Sequence, residues 1–197
     1  TLSGNITAGT FAQSDVGNAI AVTPTLSGLS LSSANYTIGG LTSALSANIS
    51  AAPITVSGLT AANKTYDGTT AAVISGTAAI ASGLQGSDSV TISSGSVTAG
   101  TFAQSNAGNG IVVTPTLTGL TLSSANYYVA GTSTVLSANI APKTITISGL
   151  SAVNKVYDST TVAAITGTPT LTGNISGETV TLSGNITAGT FAQSDVG

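Results

Sequence analysis

The chain has no cysteine, histidine, arginine, methionine or tryptophan in 197 residues. Each absence closes a chemistry. Without cysteine there is no disulfide, no thiol nucleophile and no thiolate metal site. Without histidine the usual neutral-pH base is missing, so the many serine and threonine hydroxyls have no partner of that kind to activate them. Without arginine there is no planar fork for phosphate, and three lysines carry all the positive side-chain charge. A net charge of −3 lacks the basic footprint that nucleic acid demands. Charged residues make up only 5% of the chain, against roughly 25% in an average soluble domain. No uninterrupted apolar run approaches the roughly 20 residues of a membrane helix, and the best one, 71–84, is broken by Ser75-Gly76-Thr77. We therefore expect no catalytic residue, no cofactor, no metal, no nucleic-acid partner and no membrane span in this segment.

What remains is threonine, serine, alanine, glycine and asparagine, with valine, isoleucine and leucine spread through them. At 41% hydrophobic the chain can bury a core, and its β-branched residues favour strands. The most informative feature is repetition, since periodicity constrains a fold before any local pattern does. Thr-Ala-Gly-Thr-Phe-Ala-Gln-Ser occurs at 7–14, 98–105 and 187–194, and residues 1–17 read identically to 181–197. Phe11 and Phe102 are 91 apart, as are Tyr36 and Tyr127, and Tyr66 and Tyr157, while Phe102 and Phe191 are 89 apart. The full period of 180 thus holds two similar units of about 90 residues. That is the size of a small β-sandwich, whereas solenoid repeats run about 20 to 45 residues.

Within the complete unit, strands are expected at 54–57, 70–75, 89–93, 97–102, 110–118, 126–129 and 133–140, separated by turns such as Gly86-Ser87-Asp88. No 3.6-residue apolar stripe argues for a helix. The expected fold class is all-β: tandem immunoglobulin-like antiparallel β-sandwich repeats, with a β-solenoid as the alternative. The expected boundaries are 1–52 for the end of one unit, 53–141 for a complete unit and 142–197 for the start of the next. Phe11, Phe102, Phe191, Tyr36 and Tyr127 are the expected core, joined by Ile92 and Val112.

Two lysines invite a sharper reading. Lys64 precedes Asp67 by three residues, and Lys155 precedes Asp158 in the same way. A lysine and an acid, both buried and uncharged, could form an isopeptide cross-link; a turn capped by the aspartate is the simpler reading, and the one we adopt. Asp15, Asp88 and Glu178 stand singly, short of the several carboxylates that calcium wants.

The stretch Asn63-Lys64-Thr65-Tyr66-Asp67-Gly68-Thr69-Thr70, with Gly100-Thr101-Phe102, Gly108 and Asn126-Tyr127, resembles the YDG-domain family. Its third-unit counterpart departs from the motif, reading Tyr157-Asp158-Ser159. The resemblance implies tandem β domains of large secreted bacterial surface proteins of the filamentous-haemagglutinin-type adhesin kind. It implies a family motif acting as a structural turn (Tyr66, Asp67, Gly68, Tyr157, Asp158), an extracellular or cell-surface location, and no enzyme activity. The expected function is a structural repeat of a long fibre, stalk or adhesin shaft, and the expected partners are neighbouring copies of itself. The alternative is a multivalent module that binds surface glycans or another host-surface target.

Overall fold

The computed structural model describes residues 1–194, and among them every regular element is a strand. In chain order these are β1 (Leu2–Ser3), β2 (Gly9–Phe11), β3 (Gly17–Pro24), β4 (Ser30–Leu31), β5 (Leu45–Ile49), β6 (Ala52–Ala61), β7 (Lys64–Thr65), β8 (Ala71–Ser82) and β9 (Ile92–Ser94). They continue with β10 (Ala99–Phe102), β11 (Gly108–Pro115), β12 (Thr121–Leu122), β13 (Tyr127–Thr132), β14 (Leu136–Ala141), β15 (Thr146–Ala152), β16 (Val162–Thr172) and β17 (Ala188–Thr190). The all-β expectation holds, and the open sheets are compatible with the sandwich class.

Two compact units are present, each assembled from segments distant in sequence. The first comprises 1–60, 74–98 and 115–135. In it β13 pairs with β6, whose other neighbour is β8, while β2-β3-β5 form a separate antiparallel sheet. Its core gathers Ile54, Val90 and Tyr127, with Ala52, Ile80, Leu122 and Val129 packed against them. The second comprises 61–73, 99–114 and 136 onward. There the ladder runs β8-β10-β11-β14-β7, and β15-β16-β17 form an antiparallel sheet. Its interior is Phe102, Ile111, Val113, Leu136, Ala138 and Ile140.

Two pairings depart from a purely antiparallel scheme. β13 runs parallel to β6, with Tyr127 opposite Ala52, and β14 runs parallel to β7, with Ile140 opposite Lys64. Parallel neighbours need long connections, and in each case more than sixty residues separate the partners in sequence.

Glycine sets the path of the two longest strands. Gly58 and Gly76 lie at φ +84° and +95°, and a Cβ on Gly76 would come 2.1 Å from the Gly58 carbonyl oxygen. Only backbone fits there. Ser75-Gly76-Thr77, read from sequence as a break, is therefore a crossing point inside β8. The positive-φ residue in β6 also resets the alternation, so that Ile54, Val56 and then Leu59 are buried.

A second reset explains a misplacement. Val112 was expected in the core but is 47% exposed, while Ile111 and Val113 on either side are buried. The register of β11 on β14 shifts between Gly108 and Ile111, where Gly110 takes φ +61° and its N–H donates to Asn139 Oδ1 at 2.8 Å. One extra residue flips every following side chain to the other face. The counterpart in β3 repeats the device: Ala19, at φ +51°, donates to Asn48 Oδ1 at 2.8 Å.

Of the aromatic residues expected inside, Phe102 and Tyr127 are buried, whereas Phe191 is half-buried. Ile92 is half-buried too. Phe11 and Tyr36 are corrections: they are 39% and 73% exposed. Phe102 is covered by β8 and Lys64, and Tyr127 by Ile54 and Val90. Among the described residues Phe11 and Tyr36 have no comparable cover, which leaves their rings open to solvent.

These placements give a paired test by chemical denaturation. Phe102→Ala should cost about 3 to 5 kcal/mol, the usual range for deleting a buried ring. Val112→Ala should stay within about 0.5 kcal/mol, as an exposed substitution does. Equal losses would reject the register described for β11.

Candidate functional site

The Tyr-Asp-Gly turn hangs from strand β14. Lys64 and Thr65 pair with Ile140 and Ala141, Tyr66 N–H donates to the Ala141 carbonyl at 2.8 Å, and Asn139 N–H donates to Asn63 Oδ1 at 2.7 Å. This tether brings the lysine ammonium 5.5 Å from the centroid of the Phe102 ring, within cation–π range. Lys64 Nζ donates to Asp67 Oδ1 and to the Thr69 carbonyl, both at 2.7 Å, and to Thr69 Oγ1 at 3.1 Å. Asp67 Oδ1 also accepts from Thr69 N–H and from its hydroxyl, both at 2.9 Å.

The same constellation recurs at Lys155. Its Nζ lies 2.7 Å from Asp158 Oδ1, 2.7 Å from the Thr160 carbonyl and 2.8 Å from Thr160 Oγ1. The Phe191 ring centroid is 5.8 Å away. Gly68 sits at φ +78° and Ser159 at φ +58°, so the turn needs a left-handed residue and serine supplies it at a steric cost. A Cβ at Gly68 would meet nothing closer than Ile175 Cγ2 at 3.6 Å, which leaves backbone strain as the only penalty for an alanine there.

Electrostatics decide between the two readings of the lysine–aspartate pair. The Lys64 hydrogen bond, then the Thr69 N–H and hydroxyl, hold the Asp67 carboxyl down at about 2. Asp158 is held at about 2 by Lys155 and Thr160 in the same way. A carboxyl kept ionised and half open to solvent is the reverse of what an isopeptide bond requires. The pair is an ion-paired turn.

Two further groupings were not singled out from sequence. In the first compact unit the Tyr127 hydroxyl donates to Asp88 Oδ2 and accepts from Gln85 N–H at 3.0 Å. Beside it the Asn126 side chain clasps another turn: Nδ2 donates to Asp15 Oδ1 at 2.7 Å, and Oδ1 accepts from Val16 N–H at 2.9 Å. In the second unit the Tyr66 hydroxyl donates to Glu178 Oε1. That carboxylate raises the phenol above its ordinary value of 10, and Asp88 raises Tyr127 likewise. Tyr66 and Glu178 open onto a cleft of about 270 Å³, lined also by Asn106, Ala107, Ile145 and Val180. The signal for the acids was present in the recurrence of an acid two residues before Val-Thr, in Asp88-Ser-Val-Thr and Glu178-Thr-Val-Thr. Among the described residues no three acids gather into a metal-binding group. Tyr157 is exposed, and its hydroxyl has no acid partner among the described residues.

An all-β module with a lysine-clamped Tyr-Asp turn and tyrosine–carboxylate pairs is the class that this fold and site define. Compared with known families, the chain matches the YDG domain over residues 50–134 and 141–197, and it belongs to that family. No curated protein and no solved structure matches it.

Two measurements test the turn. Because Asp67 and Asp158 lie below the ordinary value of 3.8, the stability they contribute is complete above about pH 4 and is lost as pH falls through about 2. Carboxyl-carbon NMR titration should therefore place both midpoints near 2, and midpoints near 4 would deny the clamp. Gly68→Ala should destabilise by about 1 kcal/mol through its left-handed backbone alone, read as a lowered denaturation midpoint.

Proposed function

We propose that the chain is a structural module of a long extracellular bacterial fibre, stalk or adhesin shaft, whose strand faces associate laterally with neighbouring copies. The observation that carries this reading is a set of exposed hydroxyl pairs bridging adjacent strands. Thr55 and Ser82 lie 2.8 Å apart and Thr60 and Ser75 2.9 Å. The counterpart sheet bears Thr146–Thr172 at 2.7 Å and Ser148–Thr170 at 2.8 Å. A hydroxyl that donates to its neighbour keeps lone pairs for a partner chain. Over residues 1–180 three lysines face five acids, a net charge of −2 in one period. Neighbouring faces therefore repel each other weakly. Membership of the YDG family, through its likeness to secreted surface proteins, supports an extracellular setting.

One observation favours a second reading, a module that binds surface glycans. Tyr128 is 52% exposed, because its neighbour Tyr127 faces the interior and alternate residues point to opposite sides. A lone ring gives a weak contact that gains only by copy number. Its counterpart 91 residues earlier is Thr37, so the ring is presented once per period and forms no platform. The structural reading is the stronger.

Light scattering of a multi-repeat fragment from ~10 mM to ~1 M salt tests it, since charge pairs are screened across that range. Association that persists with little change is expected. Strictly monomeric behaviour throughout would reject lateral assembly, and dissolution by salt would assign it to charge.

A further inference from the structure

Of the twelve asparagines in the chain, Asn109 alone precedes a glycine; the others precede isoleucine, tyrosine, lysine or alanine. That dipeptide has a chemistry of its own. The glycine nitrogen, with no side chain beside it to hinder the approach, can attack the carbonyl carbon of the asparagine side chain. Hydroxide first takes the N–H proton. The Gly110 N–Cγ bond then forms, the Cγ–Nδ2 bond breaks, and the amide nitrogen leaves as ammonia after regaining a proton from water. A second water opens the resulting five-membered imide at either carbonyl, giving aspartate or isoaspartate. The step consumes water alone and involves no oxidant or reductant.

In the fold that proton is held. Gly110 N–H donates to Asn139 Oδ1 at 2.8 Å, at the place where the register of β11 on β14 shifts. To react, the nitrogen must give up its proton and swing from β14 toward the side chain of its own neighbour. A bond that stabilises the protonated form opposes deprotonation, and it pins the nucleophile as well. Asn109 is exposed, and so is the clasp, so water and hydroxide reach the dipeptide whenever the bond opens locally. Asn139 is itself fixed by other means: its N–H donates to Asn63 Oδ1 at 2.7 Å, and Ala138 and Ile140 on either side are buried.

The first unit carries an internal control. Asn18-Ala19 occupies the corresponding bulge, also exposed, with Ala19 N–H on Asn48 Oδ1 at 2.8 Å, but the alanine methyl crowds its nitrogen. Asp67-Gly68 also sets a glycine after an acyl group. There Oδ1 accepts from Lys64 and Thr69, and an ionised carboxylate is a poor electrophile. We propose that Asn109 is the site of spontaneous deamidation in this chain, and that Asn139 is its guard, setting the rate through its hold on the Gly110 N–H. Each event adds one negative charge, taking the −2 of one period to −3. The isoaspartate product also lengthens the backbone by one carbon, directly before the bulge that turns Ile111 and Val113 inward, so it strikes the register of β11. The proposal rests on this bulge alone and is independent of lateral assembly and of the extracellular setting.

Peptide mapping by mass spectrometry, on the whole chain held folded in mildly alkaline buffer, follows each asparagine separately. Asn139→Ala leaves the Gly110 N–H without its acceptor, and Asn109 should then deamidate at least tenfold faster than in the parent while Asn18 stays intact. Asn139→Asp keeps an oxygen acceptor in place and should restore the slow rate. In urea that unfolds all three proteins, their rates at Asn109 should converge. Should Asn139→Ala fail to fold, the parent decides: across sub-denaturing urea, deamidation at Asn109 should rise in step with hydrogen exchange at the Gly110 N–H. Equal rates in the parent and folded Asn139→Ala overturn the proposal, as does an Asn139→Asp chain that reacts as fast as Asn139→Ala. Deamidation that ignores Gly110 exchange, or a parent in which another asparagine reacts first, overturns it equally.

Discussion

A fold with so few large apolar side chains depends on sending each of them to the correct face. Period-two alternation is rigid: a slip of one residue exposes a whole strand's core set. This chain manages the constraint with positive-φ residues at fixed places. Gly58 turns the alternation of β6 so that Ile54, Val56 and Leu59 all face inward. Gly110 does the same for Ile111 and Val113. Asparagine secures the second device, since Asn139 and Asn48 each accept the N–H that the irregular residue would otherwise leave unpaired. Both bonds are exposed to solvent, so each contributes the modest net worth of an ordinary hydrogen bond while fixing the geometry of the irregular residue.

The lysine-clamped turn is fastened to this framework. Lys64 is carried on a two-residue strand paired to β14, whose inward face holds Leu136, Ala138 and Ile140. Its ammonium lies over the Phe102 ring, and its charge is met by one carboxylate oxygen, one carbonyl and one hydroxyl. Isolated surface ion pairs contribute little. Here the pair also engages Thr69 and lies against the largest buried side chain, so it fixes the turn that precedes β8. Beside the clamp, the Tyr66 phenol reaches Glu178.

The repeat displacement, the strand-rich character and the Tyr-Asp turn were all legible in the residues. Phe102 and Tyr127 were placed correctly because alternation around them is regular. Val112 was not, because a bulge is a property of the backbone and Asn-Gly reads equally well as a turn. Phe11 and Tyr36 carry nearly the same local sequence as their buried counterparts, yet the burial of Phe102 and Tyr127 is decided by residues some 20 to 75 positions away. Asp88 and Glu178 looked isolated for a related reason: each meets its tyrosine only after folding, across 39 and 112 residues. The hydroxyl rungs were foreseeable as composition but not as pairs, since register fixes which threonine faces which serine.

These long separations share one cause. β6 borders β13, and β7 borders β14, so each pairing closes a loop of more than sixty residues. Loop-closure entropy rises only slowly with length, which makes such distant partners thermodynamically acceptable, although they form late compared with local hairpins. A repeat whose first strand waits for its last partner spends part of folding with an open edge, and that edge is indifferent to the origin of the strand that fills it. In a chain where similar strands recur every 90 or so residues, backbone pairing alone cannot tell one copy from another. Discrimination falls to side chains at the seat: a phenol that must find a carboxylate, an asparagine that must find its turn, and an aliphatic residue that must meet an isoleucine. Tyr127 and Asn126 satisfy these conditions within the first unit, through Asp88, Asp15 and Ile54.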